Sequence, residues 1–122
     1  MPKRPKYHKV ISEKVNNLGL TVYTLRYNPE LFANAKCRGI DTELFYPSRD
    51  KFSREEERYF SERLCGGCPA REACLEWGMV HERHGIWGGL TAFRRELKRR
   101  AFKWAFNDIS LQSIYRSCIV KS

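Results

Sequence analysis

The sequence predicts a small all-α domain held around four cysteines and flanked by basic tails. Three observations lead there. The chain has 122 residues, enough for one domain whose apolar core is modest, so a metal staple would help it fold. Helix-start signals recur at Asn28-Pro29-Glu30, Ser53-Arg54-Glu55-Glu56, Pro69 and Thr91. Four of the five cysteines, Cys37, Cys65, Cys68 and Cys74, cluster around the segments those signals open.

Residues 1–9 are polar and rich in Pro and Lys, and read as disordered. Residues 10–26 support two readings. Val10, Ile11, Val15 and Leu18 suit a short amphipathic helix ended by Gly19, whereas Thr21-Val22-Tyr23-Thr24-Leu25 favours extended chain. Asn28 is a good N-cap, with Pro29 at the first helical position and an acid after it; this helix would run to about Ala35 and deliver Cys37. A loop through Tyr46-Pro47-Ser48 follows. Ser53 to Glu56 is a capping box with Phe52 placed to staple the entry. The helix it opens puts Tyr59, Phe60 and Leu64 on one face and reaches Cys65, where Gly66-Gly67 break it.

Pro69 begins the next helix, on which Ala70, Cys74, Trp77 and His81 share a face. Gly85-Ile86-Trp87-Gly88-Gly89 reads as a tight turn. Thr91 caps a long final helix with Phe93, Leu97, Ala101 and Trp104 as its apolar stripe. Asn107-Asp108 separates a last short helix holding Ile109 and Ile114.

The net charge of +9 is uneven: residues 1–36 carry +5, residues 37–93 carry −2, and residues 94–122 carry +6. The chain therefore divides into a basic N-terminal extension (1–27), a cysteine-bearing helical domain (28–93) and a basic C-terminal helix and tail (94–122). Cationic flanks attract polyanions, nucleic acid first among them. The run Arg94, Arg95, Lys98, Arg99 and Arg100 is the candidate phosphate-binding face, and a solvated helix face is the plainer alternative. No signal peptide and no membrane span is expected, which points to the cytoplasm, where thiols stay reduced and cysteine clusters bind metal more often than they pair.

The cysteine spacing is Cys37-x27-Cys65-x2-Cys68-x5-Cys74. Two cysteines two residues apart can turn both sulfurs to one centre, and Gly66-Gly67 suit such a loop. Four thiolates hold either a tetrahedral zinc ion or an iron–sulfur cluster, and spacing alone does not choose between them. Arg38 and Arg71 stand near enough in sequence to favour thiolates. A third reading takes Cys65-Gly66-Gly67-Cys68 as a redox dithiol, making the chain a disulfide reductase; the strand–helix–strand pattern around such a motif is missing. No nucleophile motif, phosphate loop or acid–base pair stands out, so a non-enzymatic role is expected.

Taken together, the four cysteines in this order, the Gly85-Ile86-Trp87-Gly88-Gly89 turn, the Asp41-Thr42-Glu43-Leu44-Phe45-Tyr46-Pro47 stretch and the basic tail resemble the WhiB-like family of actinobacteria. The resemblance covers about residues 28–100. It implies a [4Fe–4S] cluster on Cys37, Cys65, Cys68 and Cys74 in a small helical domain. It further implies that Gly85, Ile86, Trp87, Gly88 and Gly89 help dock the C-terminal domain of the primary sigma factor, in a complex that regulates transcription, with the chain a monomer within it. Many family members have clusters sensitive to oxygen or nitric oxide. The Arg-Gly-Arg-Pro hook with which one branch enters the minor groove is missing from this tail.

On this resemblance Trp87 is expected to reach the partner, although as chemistry alone it suits the core. His81 is expected to be a helix-face residue, neither His81 nor His84 a ligand, and Cys118 a packing thiol. Phe45, Tyr46, Phe60 and Trp77 are expected to shield the cluster from water or simply to form core, two roles that coincide in such a domain.

Overall fold

The ambiguous segment decides the fold class. Val10–Val15 (β1) and Thr21–Leu25 (β2) form an antiparallel hairpin with an irregularity between Val10 and Ser12. β-branched residues recur in both, as Val10, Ile11 and Val15 in β1 and Thr21, Val22 and Thr24 in β2. The connection is fixed by Asn16, whose side-chain oxygen accepts the N–H groups of Leu18 (2.9 Å) and Leu20 (3.0 Å), with Gly19 at φ +78°. A mixed α/β domain therefore replaces the expected all-α one. The computed structural model describes residues 4–40 and 52–107. The 41–47 stretch with Phe45 and Tyr46, the last short helix and Cys118 lie outside the described residues.

The helical signals fare better. Asn28 caps as expected, accepting from the Glu30 N–H at 3.1 Å, but only a 3-10 turn forms, Pro29–Phe32. The Ser53 capping box is complete and opens Arg54–Arg58 (α1). That helix widens into a π-helical stretch, Tyr59–Leu64, which buries Phe60 and Leu64 and leaves Tyr59 exposed. Arg71–His81 (α2) and Ala92–Phe102 (α3) follow, the latter capped by Thr91 and ended by Lys103 at φ +60°.

The core lies between the hairpin and α2. Tyr23, Leu25, Phe32, Trp77, Val80, Trp87 and Trp104 bury together. His81, at the end of α2, accepts the Leu25 N–H on Nε2 at 3.0 Å and so ties helix to strand. Beyond α3 the chain runs beside β2: Lys103 O accepts from Thr21 N–H (2.9 Å) and Thr21 O from Ala105 N–H (2.8 Å). Asn107 closes this layer by donating from Nδ2 to Tyr23 O at 2.7 Å.

Two further expectations are overturned. Residues 4–9 are not a disordered tail. The Glu76 carboxylate on α2 accepts the backbone N–H groups of Lys6 (2.7 Å), Tyr7 (2.9 Å) and His8 (2.8 Å), and the buried His8 ring donates to Ala73 O at 3.0 Å. On α3 most of the stripe faces outward: Phe93 is 69% and Leu97 43% exposed and Ala101 is exposed too, whereas Trp104, just beyond the helix, is buried as expected, and Arg95 and Arg99 are buried as well. The reason is polar. Carbonyls beneath α3 need donors, and a guanidinium supplies five where an apolar side chain supplies none.

The His81 contact gives stability a pH dependence. Burial pushes its imidazole down to about 4, from about 6.5 in an unfolded chain. Between those values the unfolded chain binds a proton that the folded chain refuses, so stability falls as pH drops through this window. The loss from His81 is about 3 kcal/mol. His81→Gln keeps an acceptor that does not titrate. Urea midpoints at pH 7 and pH 4.5 should therefore lie closer together for the variant than for the parent; equal gaps would remove His81 as the cause.

Candidate metal centre

Three separate segments bring the cysteines together. After the 3-10 turn, successive tight turns carry the chain to Cys37: Ala35 N–H donates to Phe32 O and Arg38 N–H to Ala35 O. The π-helical stretch ends on Cys65, whose N–H reaches back five residues to Phe60 O at 2.7 Å. Such widened turns re-aim the side chains that follow them and recur at functional sites. Cys68 follows in a turn closed by Cys68 N–H to Cys65 O (3.1 Å), and Cys74 stands in the first turns of α2. All four, each half-buried, line one cavity together with Phe32, Leu64, Ile86 and Trp87. Gly66 is required for space rather than for an unusual backbone angle, since a Cβ there would sit 2.5 Å from Glu62 O.

Backbone N–H groups point at the sulfurs. Lys36 N–H donates to Cys68 Sγ at 3.3 Å and Gly88 N–H to Cys74 Sγ at 3.2 Å, and the Gly89 N–H bonds Cys65. Gly88 and Gly89 can do this because they form a tight two-residue turn. Trp87 and Leu90 exchange both backbone bonds at 3.1 Å, with φ +62° and +84° between them. Both central positions of this turn type need positive φ. A Cβ on Gly88 would also meet the Leu75 Cβ at 2.4 Å. Arg71 Nε holds the Gly88 carbonyl at 3.2 Å.

Arg95 fixes the turn from beneath. It is 0% exposed. Its Nη1 donates to Gly85 O (2.7 Å) and Leu90 O (2.8 Å), and its Nη2 to His84 O (3.0 Å) and Glu82 O (3.2 Å). Arg99 is buried too, donating to Met79 O at 3.0 Å and to Glu96. Of the residues expected to meet phosphate, Arg94 and Arg100 remain exposed and Lys98 half-exposed. Residues 85–89 are all buried, with Trp87 3% exposed and packed on Gly78 of α2. The structure thus makes Trp87 a wall of the cavity, not a protruding anchor. Arg95 is the functional residue that sequence reasoning misplaced. The available signal was a capped helix starting directly after a glycine-rich turn, whose carbonyls need a donor.

The thiols are electrostatically crowded. Burial pushes Cys65 up to about 12, with Cys37 and Cys68 adding to it. Burial also raises Cys74 well above the ordinary thiol value, with contributions from each of the other three sulfurs, and raises Cys37 as well. Arg71 and Arg38 oppose these shifts, but less strongly than burial drives them. Such groups keep their protons unless a cationic centre replaces them, and are poor nucleophiles until then. The space they enclose is narrow, about 30 Å³. Among the described residues no three His, Cys, Asp or Glu side chains close on a single ion. Four soft donors, three of them receiving N–H groups, within an apolar wall nevertheless fit a thiolate-held metal centre in chemistry.

Comparison with known proteins identifies the family. A family profile described as "Transcription factor WhiB" matches residues 32–100. The chain is 46% identical over 67 residues to the transcriptional regulator WhiB2 of Mycolicibacterium smegmatis, covering 53% of this chain and 48% of that protein, so it spans about half the length of that relative. It is 43% identical over 67 residues to WhiB2 of Mycobacterium tuberculosis, covering 53% of this chain and 70% of that protein. It is 39% identical over 69 residues to WhiB of Streptomyces coelicolor, covering 55% and 74%. No helix among the described residues is long and apolar enough to cross a membrane. With the four cysteines and the glycine turn inside the matched span, the chain belongs to the WhiB family of transcription factors.

Proposed function

We propose that the chain is a transcriptional regulator that carries a [4Fe–4S] cluster on Cys37, Cys65, Cys68 and Cys74 and acts through the C-terminal domain of the primary sigma factor. The observation that carries this is the convergence of four cysteines, from three segments of a WhiB-family chain, on one apolar cavity. Four thiolates suit a zinc ion or a cluster alike; what favours the cluster is the resemblance of the cysteine order and the glycine turn to the WhiB-like family. A disulfide reductase is disfavoured, because among the described residues Cys65-x2-Cys68 lies between helical elements and not in a strand–helix–strand unit. When bound, the cluster supplies a redox-active centre that also ties the three segments together. The protein supplies the thiolates, the N–H groups that soften their charge, and the apolar wall that keeps water out.

Because Trp87 is buried, the partner meets the surface beside its turn. There Phe93, 69% exposed, shares a recess of about 350 Å³ with Phe52, Gly85 and Arg94. An exposed aromatic at a recess is a good interface anchor. Phe93→Ala should weaken sigma-domain binding tenfold or more, by about 1.4 kcal/mol, and leave the visible spectrum of the cluster unchanged. Calorimetric titration of the holo protein with the isolated sigma domain reads this. Unchanged affinity would move the interface away from this recess. Each single Cys→Ala change at Cys37, Cys65, Cys68 or Cys74 should instead abolish both the spectrum and the binding.

A further inference from the structure

A second concavity lies on another face, between the N-terminal arm and α3. It is a groove of about 660 Å³ lined in part by Arg4, Lys6, Tyr7, Leu75, Lys98 and Phe102. It is assembled from the two cationic flanks of the sequence. The arm lies before the span matched by the family profile, residues 32–100, so this groove is not built by the shared domain alone.

Its walls repeat one arrangement. On the arm the Lys6 ammonium stands 5.3 Å from the Tyr7 ring centre, and on α3 the Lys98 ammonium stands 5.3 Å from the Phe102 ring centre. Each wall thus offers a cation beside an aromatic face, with Leu75 as apolar floor between them. The acids that also line the groove are engaged within the protein. Glu76 accepts the N–H groups of Lys6, Tyr7 and His8, and Glu72 accepts the Tyr7 hydroxyl at 2.8 Å. Arg4 is paired with Glu13 at 3.2 Å, but the pair is exposed, and such pairs exchange readily for another anion.

A buried carboxylate that pins a basic arm opposite a basic helix has a consequence for ligands: it fixes the positions of cations that would otherwise wander. We infer that this groove binds a single strand of DNA, its phosphates on Arg4, Lys6 and Lys98 and a base against the Tyr7 and Phe102 side chains. A duplex keeps its bases stacked away from the protein, and so makes no use of an aromatic-walled, apolar-floored groove. An unpaired strand uses both the charge and the rings. The inference rests on the reading of the chain as a transcriptional regulator, but not on the cluster or the sigma partner.

The test is fluorescence anisotropy of a labelled oligo(dT) strand and of a duplex of equal length, titrated with the holo protein across a salt series. The parent should prefer the single strand. The double variant Lys6→Glu with Lys98→Glu should bind it at least ~10-fold more weakly, and its salt slope should fall by about 1.4, or ~0.7 for each phosphate left unneutralised. Tyr7→Ala should weaken single-strand binding about fivefold or more with the slope preserved. Arg58→Glu, a cation elsewhere on the surface, should match the parent. Unchanged affinity and slope in the double variant, or a parent that binds the duplex as tightly as the strand, would overturn the assignment. Sigma-domain binding by the same variants stays intact if only the groove is affected, so failure here is separable from failure of the sigma interface.

Discussion

Arg95→Met unfolds the turn that walls the cysteine cavity, at a cost to the folded chain of at least about 3 kcal/mol. Methionine fills much of the same space but donates nothing, so the carbonyls of Glu82, His84, Gly85 and Leu90 lose the guanidinium that binds them. A buried acceptor left without a donor costs about 1–3 kcal/mol, and relaxation toward water recovers only part of this. For a domain of this size the loss corresponds to a melting temperature lower by roughly 10–20 °C. Arg100→Met, on an exposed side chain bonded to Glu96, should change stability by less than about 0.5 kcal/mol. Thermal melts of the two variants side by side read the contrast. Equal melts would mean that the buried guanidinium contributes no more than a surface one.

Trp87→Ala should be as damaging, by about 3–5 kcal/mol, because it empties an aromatic volume from the core. Trp87 lies so close to α2 that a Cβ on Gly78 would stand 2.4 Å from its own Cβ. The ring therefore joins the Gly88-Gly89 turn to the helix that carries Cys74. Losing it should release the turn, its N–H groups and the metal centre together. The companion change Gly78→Ala forces the same two elements apart and should reproduce the loss. If Trp87→Ala instead melts like the parent and keeps its metal, the ring is not the wall that its burial indicates, and a direct role at the partner surface returns.

These two residues show what the sequence could and could not convey. The gathering of cysteines was legible in part, because spacing is local: Cys65-x2-Cys68-x5-Cys74 places three sulfurs by short-range geometry, and the Ser53 and Thr91 caps are read directly from residue types. The turn at Gly88-Gly89 was legible for the same reason. The hairpin was not, since Val10 to Leu18 fits a helical period as well as a strand. What decides it is non-local: Tyr23 and Leu25 bury against α2, and His81 takes up the Leu25 N–H. The basic helix misled in the opposite direction. Five cations in seven residues suggested a phosphate-binding face, yet Arg95 and Arg99 are turned inward by carbonyls contributed from α2 and the turn. The arm was read as disordered because nothing within residues 4–9 holds it; its anchor, Glu76, is about seventy residues away.

The central claim is that four thiolates on this fold hold a [4Fe–4S] cluster. The most direct measurement is anaerobic purification of the chain followed by iron, sulfide and zinc analysis alongside a visible spectrum. The expected result is a brown protein with ~4 iron and ~4 sulfide per chain and broad absorption in the visible, all removed by chelation together with much of the helical signal. A colourless protein holding ~1 zinc per chain, or one that folds fully with no metal at all, would contradict it.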